Sequence, residues 1–237
     1  MNNKKHIVIV GGTSGLGLAS AEYLSDKGYI VTVLGRNQPK TKKNLSFHKV
    51  DVTDEESLKK FFDEDKISKI NGLIYSAGLS IEQKPINKFS SSEYTKIHDV
   101  NLLGALLTLK YSFDFLRSSK GRVVIVNSIA ARTYSEFSGV EYTITKSGLS
   151  GLVRHLAVDW AKDSILINSV FPSMIDTPML KGRLSTKEID EIHKSIPLGR
   201  IASTSDVIDA IEFLISDKNT YITGSGIDLN GGKFLSS

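Results

Sequence analysis

The stretch VGGTSGLGLA, residues 10–19, sets glycines at 11, 12, 15 and 17 directly behind the apolar run IVIV. An apolar run that feeds a glycine-rich turn and then a helix-compatible segment reads as strand, turn and helix start. Backbone N–H groups and the positive end of the helix dipole converge there where no side chain intrudes, which makes an anion site suited to a pyrophosphate. Two other glycine-loop chemistries fail on spacing. A phosphate loop needs Lys and Ser or Thr after its last glycine, and Gly17 is followed by Leu18 and Ala19. A serine nucleophile elbow needs glycines two before and two after the serine, and Ser14 has Gly12 before it but Leu16 after it. The spacing Gly11-x3-Gly15-x-Gly17 also differs from G-x-G-x-x-G, so this stretch alone leaves a plain tight turn open.

Outward from this stretch, short β-branched runs alternate with longer helical patterns. Strands are expected at 6–10, 29–34, 45–50, 72–75, 122–127, 165–171 and 226–229, and helices at about 15–27, 54–66, 91–118, 141–163 and 204–216. Such nearly continuous apolar runs suit strands buried on both faces, hence a parallel sheet covered by helices. Regular alternation predicts a doubly wound α/β fold, a parallel sheet of about seven strands with helices on both faces. No internal repeat or Pro/Gly/Ser-rich linker divides the chain. Residues 1–237 are therefore expected to form one dinucleotide-binding domain with an integrated substrate site and a short lid at about 173–197.

Composition removes several classes of function. With 40% hydrophobic residues the 237-residue chain can bury one substantial core. The net charge of +4 comes from Lys and Arg spread along the chain, which argues against a nucleic-acid partner. The absence of cysteine excludes a disulfide framework, a thiolate nucleophile and a cysteine metal site. Histidines 6, 48, 98, 155 and 193 show no paired spacing with acids, so no metal is called for. The most apolar later segment, LLGALLTL at 102–109, falls far short of the roughly 18 residues that span a bilayer. A soluble, cytoplasmic protein without a membrane partner is expected.

The second strand ends VLGRN, placing Gly35 and Arg36 where such a fold meets the adenine ribose. An acid there would hydrogen-bond the ribose hydroxyls, whereas Arg offers a planar fork to a 2′-phosphate. NADP(H) is therefore favoured over NAD(H), which remains possible. Lys40, Lys42 and Lys43 follow within a few residues and either deepen the positive potential or face water.

Further on, EYTITKSGLSGLVRHLAVDWA reads as one long helix carrying Tyr142 and Lys146 four residues apart, on one face. Lowering a phenol pKa from about 10 to about 7 requires roughly 4 kcal/mol. One positive charge about 4 Å away at an effective dielectric of about 20 supplies approximately that much before its own desolvation is counted. The pair is thus expected to make a proton donor and acceptor working near neutrality. The strand GRVVIVNSIA delivers Ser128 to the carboxyl edge of the sheet, where ligands bind in open α/β folds, and its hydroxyl can reach the same substrate oxygen.

GGTSGLG near the start, YSAG at 75–78, VNLLG around Asn101, Ser128, YTITK at 142–146, FPSMIDTPM at 171–179 and ITGSGIDLNGG at 222–232 occur in this order. Together they resemble the short-chain dehydrogenase/reductase family over nearly the whole chain, with its Rossmann fold. That resemblance implies Tyr142 as acid/base, Lys146 as the residue that lowers its pKa and holds the nicotinamide ribose, and Ser128 as the group orienting the carbonyl or hydroxyl. Asn101 would hold a water connecting Lys146 to solvent. Cofactor contacts are implied from Gly11, Ser14, Gly15, Leu16 and Gly17 at the pyrophosphate, and from Asp51 and Val52 at adenine. Ser76, Ala77 and Gly78 would lie along the cofactor, and Ile175 and Thr177 at the carboxamide. Three residues depart from the family pattern: Val10 where Thr is usual, Ser76 where Asn is common, and Ser173 where glycine often follows proline.

The implied activity interconverts a ketone and a secondary alcohol with NADP(H) or NAD(H), on a small-molecule carbonyl or alcohol, with a 3-oxoacyl-thioester reductase the nearest analogy. A non-catalytic dinucleotide sensor is the alternative. Four intact reacting residues argue against it. The family also implies a homo-oligomer, tetramer or dimer, built on two helices whose Leu102, Leu106 and Leu109, and Leu149, Leu152, Leu156 and Trp160, form either subunit contacts or the inner core.

Overall fold

In each central strand, alternate side chains go to opposite faces, and both faces are buried. In β1 (His6–Val10), Val8 and Val10 enter one apolar cluster while Ile7 and Ile9 enter another. The same division separates Leu73 and Tyr75 from Ile74 in β4 (Gly72–Tyr75), and Val123 and Ile125 from Val124 in β5 (Arg122–Val126). This is why these strands have no polar side. The computed structural model describes residues 4–41, 43, 45–64, 67–176 and 185–235.

With β2 (Ile30–Gly35), β3 (Ser46–Lys49), β6 (Leu166–Pro172) and β7 (Gly226–Leu229), the sheet has the order β3-β2-β1-β4-β5-β6-β7. Every neighbouring pair is parallel. On one face, α1 (Gly15–Asp26) and α7 (Thr204–Ile215) contribute Leu16, Ala21 and Leu24, and Val207, Ile208 and Ile211. On the other, α2 (Glu55–Glu64), α4 (Gly104–Ser119) and α5 (Val140–Asp159) contribute Leu58, Leu109 and Leu149. The chain winds outward from β1 to β3 and crosses back to β4. The switch point therefore lies between β1 and β4, and the turns after both strands open onto it.

Three elements differ from the sequence expectation. The single helix expected at 91–118 is instead α3 (Ser91–His98), a π turn (Asp99–Leu103) and α4. The turn widens the helix at Asn101, and its wider register does not show in residue periodicity. The helix expected to reach 163 ends at Asp159 and is followed by a 3-10 turn, Ala161–Asp163. In the region expected to form only a short lid, α6 (Thr186–Ser195) appears, started by a capping box between Ser185 and Glu188. Its Ile189 and Ile192 pack with Met174, Ile196 and Ile201 in a small cluster of their own. Lys42, Thr177, Met179, Leu180, Lys181 and Arg183 lie outside the described residues. Among the described residues, no helix is long and apolar enough to cross a membrane.

Candidate active site

The turn after β1 is shaped by close backbone approach. Gly11 has φ 78°, and a Cβ there would stand 2.5 Å from the Ala77 nitrogen. A Cβ on Gly17 would run into the Gly11 carbonyl, so the first turn of α1 can sit on the loop only with glycine at that position. The first helical bond is Leu18 N–H to the Ser14 carbonyl, which leaves the N–H groups of Gly15, Leu16 and Gly17 without helical acceptors. Gly15, at φ 53°, has open space where a side chain would stand, and the Ser14 hydroxyl caps nothing. Free donors under open space at a helix start fit a pyrophosphate. Alongside, Ser76 continues the sheet by donating to the Val10 carbonyl at 2.8 Å, and Ala77 forms the floor under Gly11.

At the far end of this groove, a Cβ on Gly35 would meet the Thr13 side chain at 2.7 Å, so Thr13 lies across the end of β2 beside exposed Arg36. Burial pushes the Asp51 carboxyl upward, but hydrogen bonds from the Thr53 N–H and hydroxyl, with the Arg36 charge, more than offset this and hold it below its usual range. Val52 is buried next to it. The residues expected at pyrophosphate and adenine thus form one continuous line along the carboxyl ends of β1 to β3.

The reacting candidates stand at the ends of β4 and β5. Asn127 fixes the main chain at Ser128: its Oδ1 accepts from Ser128 N–H at 3.0 Å, and its Nδ2 donates to Ser150 Oγ on α5 at 3.1 Å. Ser128 Oγ accepts from Ala130 N–H at 3.1 Å, and its hydroxyl lies near enough to the Tyr142 phenol to favour the phenolate. Lys146 is 4% exposed, and its Nζ donates to the Val126 carbonyl at 2.9 Å, 5.6 Å from the centre of the Tyr142 ring. Burial lowers its pKa to about 8. Burial also raises the Tyr142 pKa, against an opposing pull from the Ser128 hydrogen bond. Here the structure corrects the sequence expectation: the amine is anchored on a carbonyl of β5, and desolvation outweighs its attraction for the phenolate. Both groups are driven toward their neutral forms.

Asn101 is fully buried within the π turn. Its Oδ1 accepts from Leu79 N–H at 2.7 Å, and its Nδ2 donates to the Leu79 carbonyl at 3.0 Å and to Thr145 Oγ1 at 3.1 Å. Thr145 Oγ1 in turn donates to the Tyr142 carbonyl at 3.1 Å. Gly78 lies between the two halves of this arrangement, since a Cβ there would be 3.8 Å from both Asn101 Oδ1 and Lys146 Nζ.

A family model described as Enoyl-(Acyl carrier protein) reductase matches residues 10–233. The 3-oxoacyl-[acyl-carrier-protein] reductase FabG of Aquifex aeolicus (strain VF5) is 31% identical over 242 residues, 96% of this chain and 96% of that protein. The structure of ElxO with NADP bound superposes with a TM-score of 0.90 at 28% identity, covering 97% of this chain and 98% of that one. A short chain dehydrogenase from Leptospira borgpetersenii with bound NAD+ gives 0.90 at 26%, covering 98% and 93%. This chain belongs to the short-chain dehydrogenase/reductase family. It is an oxidoreductase using a nicotinamide dinucleotide and acting on a small molecule.

As a short-chain dehydrogenase/reductase, it gathers Asn101, Ser128, Tyr142 and Lys146 within one pocket edge, and sequence reasoning did not find what holds them there. Thr145, Asn127 and the Val126 carbonyl do that holding. Thr145 lies within YTITK, next to Lys146, but its burial and its bond to Asn101 show only in the structure. Ile175 lies on the far wall, bridged to Ala202. Thr177, expected beside it, is outside the described residues.

Proposed function

We propose that this enzyme interconverts a ketone and a secondary alcohol, with Tyr142 exchanging a proton with the substrate oxygen and Ser128 donating a hydrogen bond to that same oxygen. The carrying observation is that the Ser128 and Tyr142 hydroxyls stand together at the carboxyl edge of the sheet, beside the glycine cradle, with the Ser128 hydroxyl pulling the Tyr142 pKa down. That pull favours the phenolate, and two neighbouring hydroxyls can serve one substrate oxygen. Lys146, with a pKa of about 8, gains and loses a proton close to neutral pH and resupplies Tyr142. Asn101 fixes the Leu79 backbone on one side and the Tyr142 turn on the other.

The dinucleotide supplies or accepts the hydride. Its pyrophosphate is held by Gly11, Ser14, Gly15, Leu16 and Gly17, its adenine by Asp51 and Val52, and its nicotinamide end by Ser76, Ala77, Gly78, Tyr142, Lys146, Ile175 and Thr177. Arg36 selects NADP(H) over NAD(H) through the 2′-phosphate. Among substrates, a 3-oxoacyl thioester is supported by the likeness to FabG. A second copy of the chain docks on the α4–α5 face, giving a homo-oligomer. A dinucleotide sensor without chemistry has no need of these paired hydroxyls, and no feature of the site favours it.

The test is a panel of ketones and alcohols followed by nicotinamide absorbance with each cofactor. Tyr142→Phe is expected to lower kcat by about 10²–10⁴-fold. Undiminished turnover in the variant would remove the proton role.

A further inference from the structure

Tyr75 ends β4 with its side chain wholly excluded from solvent. A buried phenol must place its O–H on an acceptor, or lose the hydrogen bond it had in water. It donates to the Val100 carbonyl at 2.5 Å, inside the π turn and one residue before Asn101. Burial drives its pKa far upward, so it is a permanent neutral donor.

The approach is possible only because of the residue that follows the turn. A Cβ on Gly104 would stand 2.7 Å from the Tyr75 oxygen and 2.9 Å from Val52 Cγ2. Gly104 has helical backbone angles, φ −59° and ψ −36°, which any residue adopts, so conformation does not call for glycine here. What calls for it is the phenol, together with the Val52 side chain on the same side. Two residues outside the reacting set, one on a strand and one on a helix, thus fit each other around a single carbonyl.

A π turn is less favourable than the α-helix on either side, and it persists where something outside the helix holds it. Relaxation toward α geometry would change the local register, and one residue of register turns a side chain by about 100° around the axis. Asn101 would then leave Leu79 and Thr145, whose hydroxyl also holds the Tyr142 carbonyl.

We propose that Tyr75 is a positioning residue, whose hydroxyl, admitted by Gly104, holds the π turn in the form that sets Asn101 against Leu79 and Thr145, and so fixes the turn of α5 carrying Tyr142 and Lys146. This rests on the reading of those two residues as the proton machinery.

Tyr75→Phe keeps the ring and deletes the donor. It is expected to lower kcat by about tenfold or more, the scale of a small misplacement at a reacting centre, with cofactor Kd within about twofold. The kcat–pH profile should shift, and the Asn101 side-chain amide resonances should move in NMR spectra of the protein without substrate. Gly104→Ala, with the phenol retained, is expected to shift the same resonances and profile, and it serves alone if Tyr75→Phe does not fold. In the double variant the methyl takes the space of the lost hydroxyl but still meets Val52 at 2.9 Å, so the two substitutions should be less than additive without the second becoming silent. An unchanged pH profile and unmoved Asn101 resonances in both single variants would overturn the proposal, including where melting temperature falls, since that marks a purely structural contact. Failure of the underlying reading is separate: Tyr142→Phe would then stay active whatever Tyr75 does.

Discussion

Lys146 Nζ is bonded to the Val126 carbonyl at 2.9 Å, so the end of β5, and not the phenol of Tyr142, fixes where the amine sits. Its burial has a thermodynamic consequence. With a folded pKa of about 8 against the ordinary 10.5, the amine binds its proton more weakly in the folded chain than in the unfolded one. Folding is therefore opposed wherever the unfolded amine is charged. The penalty is full below about pH 8, shrinks between 8 and 10.5, and vanishes above that range. Lys146→Met removes this penalty, an effect on the order of 1–3 kcal/mol, together with the bond to Val126, which does not vary with pH. The difference in melting temperature between variant and parent should therefore be most favourable to the variant near pH 6–7 and decline steadily toward pH 10. A difference that is flat with pH would mean that the amine is not desolvated as the structure has it.

Gly78 separates Asn101 Oδ1 from Lys146 Nζ, and an added Cβ would lie at 3.8 Å from each, an ordinary contact distance. Its φ is not positive, so Gly78→Ala carries no backbone strain. The methyl fills the space between the buried amide and the amine. Turnover is expected to fall by about tenfold, with melting temperature unchanged. Steady-state rates with paired thermal melts check this, and full activity would show that protons reach Lys146 by another route.

The layers were legible because strands buried on both faces leave unbroken apolar runs: IVIV, GLIY and RVVIV stand within a residue or so of where periodicity put them. What pattern could not reveal is where helical register changes. DVNLLG reads as more of the same helix, and only the partner of Val100, twenty-five residues back in sequence, makes it a π turn. The helix at 186–195 was legible in principle, since Ser185-Thr-Lys-Glu188 is a capping-box sequence, but its short apolar stripe buries only a small cluster of its own. Four-residue spacing placed Tyr142 and Lys146 on one face. The charge balance left desolvation uncounted, because that depends on everything packed around the pair, which spacing alone does not carry.

Arg36 stands exposed at the end of β2, its charge felt by Asp51. If its fork grips the 2′-phosphate, Arg36→Ala should weaken NADPH binding by about tenfold to a hundredfold, the scale of a charge-assisted hydrogen bond, and leave NADH binding nearly unchanged. Fluorescence titration with each reduced cofactor measures the ratio. An unchanged ratio would transfer the selection to another residue of the groove, such as Thr13.

The α4–α5 face is the remaining site whose occupant can be tested. Leu109, Leu149 and Trp160, among the leucines and tryptophan expected at either core or interface, are buried within the chain, whereas Leu106 is 43% exposed and Val158 81%. Leu106, Phe113 and Leu156 line a shallow groove between the two helices. Two copies meeting across a two-fold axis would each bring the same face, so any residue at the centre of the contact occurs there twice. Leu106→Glu would then set two carboxylates in an apolar seam without disturbing the core beneath. The parent should run in light scattering as a multiple of 26.0 kDa, and the variant should shift toward the single-chain mass with its secondary structure intact. A parent that runs as a single chain at micromolar concentration would leave this face to solvent and end the proposal of an oligomer.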